Sequence, residues 1–62
     1  MKFKKYIDDK KTYPYEFAKK HNIDHVMVWR AYKGKAISPQ NAMILSLATR
    51  KKVKILDLIY EG

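Results

Sequence analysis

Few side chains in this chain are of a type and spacing that could do chemistry. His21 and His25 stand four residues apart, the spacing at which two imidazoles on one helix share a metal ion. Asn22, Ile23 and Asp24 between them read as a turn, so the pair straddles a break and the shared-face geometry fails. Asp8-Asp9 is a carboxylate pair among lysines, which reads as the solvated surface of a helix. Ser38 and Ser46 have no base at an interpretable spacing, and Ser38, placed before Pro39, already has a capping role. The absence of cysteine removes thiolate chemistry, disulfides and Cys-based zinc sites, and there is no glycine-rich phosphate loop. The expectation is a protein that is not an enzyme and carries no catalytic residue, metal or cofactor. What remains is positive charge. Fourteen Lys and Arg against six acids give +8 over 62 residues, spread from Lys2 to Lys54. A charge of that sign favours polyanions, because each phosphate neutralised releases condensed counterions.

The elements that must position these cations are helical. Sixty-two residues make at most one domain, and a chain of that size buries only about 60% of the surface exposed when unfolded. Phe3, Tyr6 and Ile7 recur at i, i+3 and i+4, giving a first helix of about eight residues with lysines on its other faces. Lys11-Thr12-Tyr13 breaks the pattern before Pro14, which opens a second helix to about His21, with Glu16 favourable to its dipole. Asp24 is a suitable N-cap for a third helix and Gly34 a suitable terminator after Lys33. Ser38-Pro39 repeats the cap-then-proline signature and starts a fourth helix through about Thr49. The segment Val53 to Tyr60 reads as a strand or a further helical turn, and the turn is favoured. The fold class expected is all-α, four to five helices in a single domain over 1–62.

Within that frame, residues 14–34, PYEFAKKHNIDHVMVWRAYKG, have the spacing of a helix-turn-helix unit. Ala18 is the small residue where two helices cross, Asn22 takes the positive φ of the turn, and Ile23 is the apolar plug beneath it. The second helix of such a unit lies in the major groove of DNA. On that helix Val28 and Ala31 fall with Ala18 and Ile23 on the core side, while His25, Val26, Trp29, Arg30 and Lys33 share the opposite side. For Trp29 a second placement stays open, at least half buried against Tyr32 or the first helix.

The opening KFKKYIDDKK, then YPYEFAKKHNID, then VWRAYKGKAISPQNAMILSLAT, together resemble the phage Cro and CI repressor class of helix-turn-helix proteins, including the Cro-like antitoxins of the YdaS type. The likeness covers roughly residues 2–58, and ISPQNA is its most diagnostic phrase. It implies a lambda-repressor-like fold and a sequence-specific regulator of transcription that binds a palindromic operator in double-stranded DNA as a homodimer. It further implies base contacts from His25, Val26, Trp29 and Arg30. An arginine there can bridge guanine O6 and N7, and a valine can meet a thymine methyl. Phosphate contacts are expected from Tyr13 and Tyr15 at the start of the second helix, from Lys19 and Lys20 near its end, and from Lys33 and Lys35 around the following loop. The chain departs from the family at Asn22, where a glycine is usual, and at Pro14, where relatives carry a glutamine. Arg50-Lys51-Lys52 stands where glycines commonly end the fourth helix, leaving no evident stop.

Relatives also carry charged residues where this chain has Ile44 and Leu47. Apolar residues therefore run round Met43, Ile44, Leu45, Leu47 and Ala48, and a helix apolar on more than one face is buried on more than one face. Either the C-terminal segment folds back over Ile44 and Leu47, or they form a two-fold interface with Leu58, Ile59 and Tyr60. The competing function is a protein-interaction module, an antirepressor or antitoxin that uses the same helices on a protein partner. No apolar run approaches the roughly 20 residues that span a bilayer. The expected setting is the bacterial cytoplasm, with the protein associated with the nucleoid, no membrane and no small-molecule ligand.

Overall fold

The computed structural model describes residues 1–60 and, among them, contains five helices and no strand: α1 (Phe3–Asp9), α2 (Pro14–His21), α3 (His25–Tyr32), α4 (Pro39–Ala48) and α5 (Ile55–Ile59). Three starts follow the sequence signals. Pro14 and Pro39 occupy the first turn of α2 and α4, where the missing N–H is not needed. The Asp24 carboxylate accepts the Val26 N–H at 3.0 Å, and the Ser38 hydroxyl accepts the Asn41 N–H at 3.3 Å.

The first four helices end in one and the same way. After each, a residue of positive φ lets two successive N–H groups reach back to carbonyls of the last turn, a Schellman motif. Lys11 and Thr12 donate to Asp8 and Ile7, Asn22 and Ile23 to Lys19 and Ala18, Gly34 and Lys35 to Ala31 and Arg30, and Arg50 and Lys51 to Leu47 and Ser46. The left-handed residues are Lys11 (φ 53°), Asn22 (57°), Gly34 (81°) and Arg50 (57°), and after α4 Lys51 (64°) follows Arg50 in the same region. Asn22 and Gly34 suit that region by type. Lys11, Arg50 and Lys51 do not, and each carries a local conformational penalty of roughly 1–2 kcal/mol that tertiary packing must offset. Hence α4 does stop near Thr49, although its sequence supplies no glycine there.

Beyond that stop, Thr49 ties α4 to the next turn. Its buried hydroxyl donates to the Ser46 carbonyl at 2.9 Å and accepts the Val53 N–H at 3.2 Å, beside a Val53 side chain that is itself fully buried. Thr49→Val keeps the shape and leaves the Val53 N–H without an acceptor. A loss of about 1–3 kcal/mol is expected, each kcal/mol lowering the melting temperature by about 4–8 °C in a domain of this size. Thermal unfolding followed by circular dichroism checks it, and an unchanged midpoint would show that Val53 finds another partner.

The core is one cluster. Phe3 and Ile7 of α1, Phe17 and Ala18 of α2, Met27, Val28 and Ala31 of α3, Ala42 and Leu45 of α4, Val53 and Leu58 are all buried, with Ile37 from the α3–α4 loop. Phe17 is its aromatic hinge: Phe3 meets it edge-on at 5.3 Å, Tyr6 at 6.1 Å, and the His21 ring lies 4.4 Å away. Ala18 is almost fully buried where α2 packs on α3, and Ile23 is half-buried under the turn. The Ile37 N–H donates to the Leu58 carbonyl at 3.1 Å, anchoring α5 to the loop before α4. Leu58 is only 2% exposed. It therefore leaves the surface expected of it with Ile59 and Tyr60, because the short α5 turns that one side chain inward to seal the core.

On the surface, α1 docks on α3 through Asp8, whose carboxylate accepts from the Lys4 ammonium at 2.8 Å and the Tyr32 hydroxyl at 2.9 Å. These bonds, the Lys4 one first, hold its carboxyl below the ordinary value of 3.8. A depressed folded-state value means stability present above the unfolded value and lost as pH falls through the lower one. Asp8→Asn should therefore flatten part of the acid limb, a small effect because water screens an exposed pair. The stability gap between wild type and variant is expected to shrink from about pH 5 to about pH 2 in urea titrations. A constant gap over that range would remove the ion pair from the account.

Candidate nucleic-acid interface

The three residues between α2 and α3 hold the second helix so that one side is core and the other is surface. Met27, Val28 and Ala31 point inward, and His25, Val26, Trp29, Arg30 and Lys33 are all exposed. Met27 joins the core from the sector between the two sides, a position that its neighbours in sequence did not single out. Val26 is 55% exposed and Trp29 41%. Trp29 therefore meets both placements: it opens on the outer side yet is more than half covered, its ring edge-on to Tyr32 at 5.7 Å and beneath the Lys33 ammonium at 5.5 Å. Arg30 is exposed and joins no ion pair among the described residues, so its guanidinium is free for an acceptor.

The neighbouring elements bring further polar groups to the same side. Tyr15 approaches His25 with ring centroids 5.8 Å apart, which places the first turn of α2 against the first turn of α3. Tyr13 and Tyr15 are both exposed, and α2 begins without a side-chain cap, so the Tyr15 and Glu16 N–H groups of its first turn have no side-chain acceptor. Lys19 follows Tyr15 by four residues and shares its side of α2. At the other end of α3, Lys33 and Lys35 flank Gly34 and are exposed. Between α3 and the start of α4 lies a cleft of about 280 Å³ lined by Val26, Arg30, Ser38 and Asn41 among others. Ser38 and Asn41 were not among the expected contact residues. Their signal was present in SPQN, whose first-turn polar groups the capping role alone had absorbed.

One expected contact residue lies elsewhere. Lys20 faces away from α3 and lines a different cleft with Lys10, Arg50 and Lys52, because one helical step past Lys19 rotates it by about 100°. Ile44 and Leu47 are 45% and 59% exposed, so α5 does not cover them. Met43, Ile55, Leu56 and Tyr60 are exposed as well, while Ile59 is half-buried. Among the described residues no three His, Cys, Asp or Glu side chains gather as a metal site, and no helix is long and apolar enough to cross a membrane.

The class defined by this fold is an all-helical domain, with five short helices around one core among the described residues. The chain matches no family model, and neither a curated protein nor a solved structure is significantly similar to it.

Proposed function

We propose that the protein is a lambda-repressor-like helix-turn-helix regulator of the Cro type, which binds a palindromic operator in double-stranded DNA as a homodimer and acts on transcription by occlusion. The observation that supports this most is the division of α3. Its inner residues are buried, while His25, Val26, Trp29 and Arg30 form an outer face with Lys33, flanked by the uncapped start of α2 and by Lys19 and Lys35. Arg30 and Val26 supply base-edge chemistry, and the flanking lysines and tyrosines supply phosphate contacts. The apolar surface of Ile44 and Leu47 on α4, with Tyr60 and the half-buried Ile59 beyond, is the two-fold contact.

Titration of binding to random duplex DNA against salt tests the reading. A protein that neutralises phosphates loses affinity steeply, by about 0.9 log unit per contact for each tenfold rise in salt. Selection of bound sequences from a random duplex pool should then return a two-fold symmetric site. A flat salt response with no enriched sequence would sink the proposal. The exposed Val26 and Trp29 support a second reading, in which the same face docks on a protein partner; capture of a defined partner that an α3 variant no longer binds would favour it.

A further inference from the structure

A second cleft, larger than the one beside α3, owes nothing to that helix. It measures about 680 Å³ and lies where the end of α1, the outer side of α2 and the end of α4 converge. Its walls carry Lys10, Lys20, Arg50 and Lys52, facing a single carboxylate, Glu16. None of the four cations forms an ion pair among the described residues, in contrast to Lys4 and Lys5, which are matched by Asp8 and Asp9. His21 and Tyr6, both half-buried, form part of the floor, with the Lys10 ammonium 5.7 Å above the Tyr6 ring. Four unpaired like charges around one concavity repel each other in the folded state and focus a positive potential into it. The volume is that of a small-ligand site. The face carrying α3 holds four cations, Lys19, Arg30, Lys33 and Lys35, and this cleft holds four others, so a single DNA contact on α3 leaves the cleft's cations without a role.

We propose that this cleft is a second anion site, which takes two or more phosphate groups carried on one ligand, independently of whatever α3 binds. Lys20 comes from α2, and Arg50 and Lys52 from the turn after α4, so a chain of phosphates in the cleft meets donors from separate segments. The phosphates come either from a free polyphosphate ligand or from the backbone of a second nucleic acid. In the latter case one protein joins two duplexes.

Amide shifts followed by NMR during titration with inorganic triphosphate provide the test. Saturable shifts are expected at Lys20, His21, Arg50 and Lys52, with Val26, Trp29 and Arg30 unmoved. The double variant Arg50→Glu/Lys52→Glu, and separately Lys20→Glu on α2, should each weaken triphosphate by about tenfold or more while keeping wild-type helix content. A random duplex of roughly one turn, about 10 base pairs, separates the sources. Shifts at the same cleft amides, with a sedimenting species of two duplexes per chain, assign the site to nucleic acid. Duplex shifts confined to α3 assign it to free polyphosphate. Shifts spread evenly over all lysines without saturation, or triphosphate binding indifferent to both variants, would overturn the proposal. Tighter saturable binding of an oligoglutamate peptide than of triphosphate would equally overturn it, since the cleft would then be built for an acidic protein segment.

Discussion

Leu47→Glu is expected to leave the monomer folded and to raise the dissociation constant of the proposed homodimer by about 10²–10⁴-fold. Leu47 is 59% exposed and contributes little to the core, so its replacement leaves the buried cluster of Phe3, Phe17, Val28 and Leu45 intact. In a two-fold contact both copies change together. Each loses a buried leucine worth about 1.5–3 kcal/mol, and the axis brings two introduced carboxylates close to one another. A single recognition helix reads only a few base pairs, so binding to a palindromic site with half-sites about one helical turn apart should collapse with the dimer. Sedimentation with and without operator reads the association, and circular dichroism reads the fold. Wild-type protein that stays monomeric at high micromolar concentration, operator present, would end the dimer model. Loss of helix content in the variant would place Leu47 in the fold rather than the interface.

Arg30→Ala is expected to weaken specific DNA binding by about 1–3 kcal/mol while affecting random duplex much less. The guanidinium is exposed, unpaired among the described residues, and set beside Val26, Ser38 and Asn41 in the α3–α4 cleft. Bidentate donation to one guanine is a sequence-dependent contact, whereas an ammonium on a phosphate is not. Lys19→Ala and Lys35→Ala should accordingly weaken both kinds of DNA together and lower the salt slope by about one unit. Equal losses on specific and random DNA for Arg30→Ala would assign that side chain to phosphate instead. Lys20→Ala, by its placement in the far cleft, should alter the specific contact least of the helix-two lysines.

The helices and most of their ends were determined by the sequence alone. The proline starts at Pro14 and Pro39, the caps at Asp24 and Ser38, and the left-handed residues Asn22 and Gly34 act over one or two turns. Local chemistry of that range is fully written in neighbouring residues. The division of α3 was legible for the same reason, since a 3.6-residue period needs only one buried side to fix the other. Tertiary structure decided the rest. Lys11 and Arg50 adopt positive φ against their own preference, because the segments that follow must turn back to bury Phe17 and Val53. Leu58 went to the core and Ile44 and Leu47 stayed outside, although all three are equally apolar, because only the packing of α5 against α4 and the loop at Ile37 selects which leucine is covered. Lys20 and Arg50, thirty residues apart, line one cleft, and no pattern in the chain announces a site whose walls come from three separate helices.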